Sequence, residues 1–421
     1  MGKRFFPTDL RRKFLLLHRW LGVFLVIPLL LLLLTGSVLV FKSELDYVLN
    51  KVLMHIEVYE GAEALPINQL EQKIVEAYPG SRISWFDLSV SPEKASIFWL
   101  AGSVDKQGNY QAPKHNQVFV NPYTGEVLGG RTWGSIEQPL VNLMPLVYRL
   151  HYSLVSGTTG AQWLGWLAIA WLLHLVLGWL LTLPQGQQAT TKQKRLSWLG
   201  YWRFKPVQQA GSQSEFKKQF SWHRWLGLVL TPMMLVFIIS GIAFNLKDIY
   251  HPVLDLFAER QQAHLNLVAS SEGQAQPVSW SQAVEVGKQH MAGLAEQRGF
   301  EVLSAQGVSY SSFKGIYMYR AYTSLDISPE HIRTSIWFDA ASGEKLAEYL
   351  PSQKATGDSF TNLISALHMA KLGWMEQALV LLSSFGLMLL IYSGAKVGWM
   401  KWRARRKVTW ENKAAIGKLK V

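Results

Sequence analysis

The 421-residue chain contains no cysteine. Disulfides, thiolate metal sites, iron–sulfur clusters and covalently attached c-type heme are therefore excluded. It also lacks a phosphate-cradling glycine loop, a dinucleotide fingerprint and a nucleophile elbow. Charge is scarce over four runs, about 15–41, 161–183, 224–246 and 375–395. Each is long and apolar enough to span a bilayer. No carboxylate is read within the membrane, and no pair of spans is read as interrupted by glycine or proline. Both absences argue against a transporter. The first run is too long for a cleavable signal and no small-x-small site follows Val40, so it reads as an uncleaved anchor.

Acidic residues are outnumbered, leaving a net charge of +13, but the excess is sorted by segment. Lys3, Arg4, Arg11, Arg12 and Lys13 precede the first run, the 184–221 loop has seven Lys/Arg and one acid, and the tail from Lys396 has nine Lys/Arg. The long segments are slightly acidic instead: nine basic against twelve acidic residues over 42–160, and nine against thirteen over 247–360. The positive-inside rule then places both termini and the middle loop in the cytoplasm and both long segments outside, in the periplasm of a bacterium. The expected location is a bacterial inner membrane. Basic tails of this kind sit on anionic lipid, and no nucleic-acid partner is expected. Trp198, Tyr201, Trp202 and Phe204 suggest a middle loop lying on the inner surface.

What the chain does have is a repeat. His18-Arg19-Trp20-Leu21-Gly22 returns as His223-Arg224-Trp225-Leu226-Gly227, and each copy opens an apolar run ending in Thr35-Gly36-Ser37 or Ser240-Gly241. Repeats of this kind mean two halves of one design. Helical spacing from Pro66 to Tyr78 and at about 279–298 predicts one helix in each outside segment. Strands are predicted at 83–90, 95–100 and 117–120, and again at 302–310, 315–322 and 334–338. The last of each set runs into a matched turn, Tyr123-Thr124-Gly125-Glu126 or Ser342-Gly343-Glu344. Matched pieces with Leu150-His151 and Leu367-His368 follow at the outer interface.

The expected fold is a mostly α integral membrane protein, with four transmembrane helices in two tandem repeats and two small periplasmic α+β domains. Segment by segment it reads as a cytoplasmic start and first span (1–41), a first outside domain (42–138), and an interfacial helix with the second span (139–183). A basic loop (184–221), the third span (222–246) and a second outside domain (247–358) come next. An interfacial helix with the fourth span (359–400) and a basic tail (401–421) complete it.

Five histidines lie in or at the spans: His18, His151, His174, His223 and His368. Ionisable residues in a membrane are costly and point to function. Individually each has a blander role, as an interfacial anchor, a helix cap or an interhelical hydrogen bond. Together they collect at two depths, His151 with His368 near the outside and His18, His174 and His223 inner to central. Facing imidazoles at two depths are what two b-type hemes need as axial ligands, and two hemes can carry electrons across a core about 30 Å thick. The repeat pairs His151 with His368. At the inner depth three histidines compete for two places, His174 having only Leu390 or a neighbour as counterpart. The outside histidines His55, His115, His251, His264, His290 and His331 match no metal spacing and are expected on the solvated surface.

Leu17-His18-Arg19-Trp20-Leu21-Gly22, its second copy, the two turns, Leu150-His151-Tyr152 and Leu367-His368 resemble the PepSY-associated transmembrane proteins, over nearly the whole chain. That group includes iron-regulated inner-membrane proteins and ferric-siderophore reductases of the ferrioxamine reductase type. The resemblance implies four spans, two PepSY-like periplasmic domains, two b-type hemes and reduction of ferric siderophores. With no flavin module in the chain, electrons would come from quinol or a separate cytosolic reductase. Tyr148, Arg149, Tyr152 and Trp374 lie near the expected substrate level. A non-redox, membrane-anchored binding or regulatory module and a siderophore or iron transporter are the other readings, and a homodimer stays open.

Overall fold

The computed structural model describes residues 6–58, 61–89, 91–104, 107, 109–183, 215–262, 267, 277–353 and 355–418, with side chains to residue 406. Most of the middle loop, with Trp198, Tyr201, Trp202 and Phe204, lies outside the described residues, as does His264. The chain divides into two compact units. One comprises Met1–Val40, His151–Ile249 and Trp374–Val421, and the other Phe41–Leu150 and Tyr250–Gly373.

Elements run in the order α1 (Thr8–Leu39), α2 (Lys42–Leu49), α3 (Lys51–Met54), α4 (Ile67–Ala77), β1 (Arg82–Asp87), β2 (Ser96–Ala101), β3 (Ser103–Val104), β4 (Tyr110–Gln111), β5 (Gln117–Val120), β6 (Val127–Arg131), α5 (Leu143–Ser153) and α6 (Gly157–Thr182). After the loop come α7 (Glu215–Val229), α8 (Thr231–Asn245), α9 (Lys247–Asp255), α10 (Trp280–Arg298), β7 (Val302–Ser311), β8 (Ile316–Thr323), β9 (Ser335–Asp339), β10 (Lys345–Tyr349), α11 (Thr356–His368) and α12 (Trp374–Lys418).

The first unit is helical. Helices α1, α6 and α12 are each long and apolar enough to cross a membrane. In α1, Leu25, Leu29 and Leu33 recur at every fourth position and are buried against Leu164, Leu167 and Leu175 of α6. The third expected span, 222–246, is not one straight helix. Helices α7 and α8 meet at Leu230 with a 60° bend and count as a fourth span only when taken together. Pro232, at the start of α8, has no N–H to continue the ladder of α7. The expectation of uninterrupted spans is corrected here. In α1 a proline one position out of that register, Pro28, lies inside a helix that continues through it. Glu376 is buried in the first turn of α12, so a carboxylate does stand at the start of an apolar run.

In the second unit the two predicted strand sets share one antiparallel sheet, in the order β10-β9-β8-β7-β1-β2-β5-β6. The halves join through their first strands, with Trp85 opposite Ser309 and Phe86 opposite Val308. Gly307 makes the join feasible, because a Cβ there would sit 2.5 Å from the Trp85 ring. Helices α4 and α10 cover one face, and Leu70, Ile74, Phe86, Phe98, Met291, Leu294, Tyr319 and Phe338 belong to a single core drawn from both halves. The outside segments therefore form one joined body rather than two separate small units. Merging the sheets pools both halves in one core and removes two edges.

The duplicated turn is reproduced bond for bond. Asn121 Oδ1 accepts from the N–H of Tyr123 and Thr124, and Asp339 Oδ1 from those of Ala341 and Ser342. Gly125 and Gly343 follow at φ +73° and +75°, the left-handed conformation that glycine adopts at least cost. Helix α10 starts on a Ser279–Gln282 capping box and stops at Gly299, also left-handed.

Candidate functional site

Three of the five singled-out histidines come together in the helical unit. The repeat decides how. His18 of α1 donates from Nδ1 to the carbonyl of His174 in α6 at 3.2 Å, and His223 of α7 donates from Nδ1 to the carbonyl of Leu390 in α12 at 3.1 Å. A carbonyl only accepts, so each Nδ1 carries the hydrogen and each Nε2 keeps its lone pair. This is the tautomer of a histidine that ligates a metal through Nε2 while a neighbouring helix orients its ring.

A glycine one turn further along each receiving helix makes room. A Cβ at Gly178 would sit 3.2 Å from His18 Cε1, and one at Gly394 would sit 2.8 Å from His223 Cε1. The ring centres of His18 and His223 are 6.3 Å apart with planes at 68°. Two imidazoles ligating one metal from opposite sides, at about 2 Å per bond, have ring centres roughly 6 Å apart. His18 and His223 meet that spacing. His174 does not meet it with His18: their rings lie face to face at 3.9 Å and 3°.

His151, near the end of α5, belongs to the same unit. Thr35 Oγ1 gives its hydrogen to the Leu31 carbonyl at 2.7 Å, so at 2.9 Å from His151 Nδ1 it accepts. His151 Nδ1 thus carries the hydrogen, as in His18 and His223. Gly36 lies against this ring, its Cβ position 3.0 Å from Cε1. Thr35-Gly36, which in sequence marked only the end of an apolar run, supplies both the acceptor and the space. His368 is the last residue of α11 and is partly buried in the other unit. Left-handed non-glycine residues follow both outer histidines: Leu154 and Val155 after His151, and Ala370 after His368. Such backbone strain collects at functional sites.

Among the expected substrate-level residues, Tyr148 packs its ring 5.9 Å from Trp133, and the Lys42 ammonium lies over Tyr148 at 4.4 Å. Burial pushes the Lys42 pKa below its ordinary value. Arg149 donates to the Gly134 carbonyl, closing the loop that carries Trp133. Lys42 stood out in sequence only as the charged step after the first apolar run and Trp133 not at all; the fold brings them together.

Of the remaining described histidines, His55 is exposed as expected, His115, His251 and His290 are partly buried, and His331 departs from the expectation. His331 is buried, 4% exposed, and accepts a 3.4 Å bond from Arg333. Burial pushes its pKa down to about 4, with the Arg333 and Lys371 charges adding to the effect. The 324–334 loop that carries it folds inward because Asp326 accepts bonds from Thr323 and Thr334. His55 and His115 pair with the hydroxyls of Tyr47 and Tyr78, and His290 Nε2 donates to the Gly343 carbonyl. Among the described residues, no group of three or more histidine or acidic side chains is placed to hold a bare metal ion.

No curated protein matches the chain. The family model described as the PepSY-associated TM region matches residues 15–401, nearly the whole length and both histidine-bearing repeats. The chain is a membrane protein that belongs to the PepSY-associated transmembrane family.

Proposed function

We propose that this protein is an inner-membrane diheme b-type electron-transfer protein that reduces ferric siderophores outside the membrane and releases Fe(II). The observation that carries the reading is the set of oriented imidazoles. His18 and His223 each spend Nδ1–H on a carbonyl and keep Nε2 for iron, and His151 spends its Nδ1–H on Thr35. His18 and His223 are the inner pair by their 6.3 Å spacing. His151 and His368 are the outer pair by the repeat. Heme supplies one-electron transfer when bound between such imidazoles.

The chain's own part is to fix ring planes, keep water away and provide separate inner and outer ligand sets. Reaction at the outside adds one electron to Fe(III) held by hard oxygen donors, giving Fe(II), which those donors hold poorly. Electrons enter from quinol or from a separate cytosolic reductase. Four spans, with α7 and α8 taken as one, would put both termini in the cytoplasm and the joined PepSY-like sheet in the periplasm.

An absorption spectrum of the detergent-purified protein tests this. A Soret band that shifts on dithionite is expected, with one heme equivalent lost in His18→Ala or His223→Ala and the other in His151→Ala or His368→Ala. A protein that stays colourless in heme-replete cells refutes it and returns the histidines to interfacial anchoring in a non-redox binding module. The broken α7–α8 pair favours one other reading, a transporter, since broken helices line transport sites. Uptake of a ferric siderophore into proteoliposomes without reduction outside would select it.

A further inference from the structure

Position 174 is where the two halves of the helical unit part company. His18 uses the carbonyl of residue 174, and His223 uses that of residue 390. Gly22 faces the residue 174 side chain, and Gly227 faces that of residue 390. Residues 174 and 390 are thus counterparts, one histidine and the other leucine. The carbonyl's task needs no imidazole, as Leu390 demonstrates.

The His174 side chain nevertheless occupies a defined seat. Its ring lies on that of His18 at 3.9 Å and 3°, and Gly22 leaves room for it, a Cβ there falling 3.1 Å from His174 Cε1. At Gly227 the corresponding Cβ would meet only Leu390 Cδ1, at 3.8 Å. His174 Nδ1 is buried with no well-formed hydrogen bond, the His18 backbone being its one weak polar neighbour. Leaving such an atom unpaired is a cost that Leu390 avoids. Ring lone pairs lie in the ring plane, so two rings stacked in parallel cannot point at one iron from opposite sides.

We infer that His174 is a positioning residue and not an axial ligand: its ring clamps the plane of the His18 imidazole, making the two ligands of the inner pair unequal. The inference rests on the proposed heme function. Its effect falls on the ligand plane, which the low-spin EPR g values of a bis-imidazole heme report, and on the inner heme's midpoint potential.

The test compares His174→Leu, which restores the repeat, with His174→Phe, which keeps a flat ring. Both are made in the full chain and purified in detergent beside His18→Ala and His223→Ala. Expected for His174→Leu are two hemes per chain and low-spin spectra, with a displaced inner EPR signal and a shifted inner potential. His174→Phe should keep the parent signal. Retention of the outer heme shows that each variant is folded. Loss of one heme equivalent in His174→Leu overturns the inference by making His174 a ligand. EPR and potential identical to the parent overturn it by making the stack idle. A colourless parent protein overturns the heme function itself, and the inference with it.

Discussion

Replacing Gly394 by alanine tests how tightly the His223 ring is seated. The new methyl would start 2.8 Å from Cε1 and 3.0 Å from Nδ1 of His223. Carbon atoms at rest stand about 3.5 Å or more apart, so the ring must retreat by about 0.7 Å. It is tied to Leu390, one turn away on the same helix, by the 3.1 Å Nδ1–H bond. Overpacking costs about 1–3 kcal/mol and the strained or lost hydrogen bond about 0.5–1.5 kcal/mol. Alanine in place of glycine returns up to about 1 kcal/mol of helix propensity. The net expectation is a loss of about 1–3 kcal/mol. Gly398, one turn further along α12, is the control, because a Cβ there meets nothing within 4 Å. Gly178→Ala, at 3.2 Å from His18, should fall between the two. Thermal unfolding of the detergent-solubilised chain, followed by tryptophan fluorescence, ranks the three. Equal midpoints for Gly394→Ala and Gly398→Ala would refute the seating of His223 described above.

Three further outcomes are expected. Arg131→Ala strands Asp46, to which Arg131 is doubly bonded at 2.9 and 2.6 Å in a buried site. It should cost about 3–5 kcal/mol in denaturant unfolding, whereas Arg260→Ala, which breaks the more exposed pair with Asp255, should cost far less. His331 has its folded pKa lowered to about 4 from 6.5. The unfolded chain therefore binds the extra proton first, and the stability it contributes is present above about pH 6.5 and lost as pH falls through about 4. The swing is at most about 3 kcal/mol, and His331→Gln should flatten that part of the pH–stability curve. Val155→Gly should relieve a β-branched side chain held at φ +59° and raise the unfolding midpoint, by about 1 kcal/mol or more in stability; an unchanged or lowered midpoint would show that the packing of the valine outweighs its strain.

The local features were legible because they depend on neighbours in sequence. Twenty apolar residues make α1, α6 and α12 spanning candidates wherever they pack. Asn121 and Asp339, each followed by a glycine four residues on, write the same turn twice. Strand positions followed from short apolar, aromatic stretches between turn residues, and the five histidines stood out by cost alone. The bend at Leu230 was less visible, because a proline inside an apolar run need not break the helix, as Pro28 in α1 shows.

By itself, the sequence determined that this is a duplicated membrane chain without thiols, five of whose histidines lie in or beside its apolar runs. Hydropathy, charge asymmetry and repetition are properties of order along the chain, and they survive without coordinates. Tertiary structure decided which of those histidines come together. The 6.3 Å spacing of His18 and His223, the stack of His174 on His18 and the glycine behind each ring arise where separate helices meet. So does the Asp46–Arg131 pair, 85 positions apart in sequence. Contacts over such distances are set by packing and by closure of long loops, which leave no periodic mark in the order of residues.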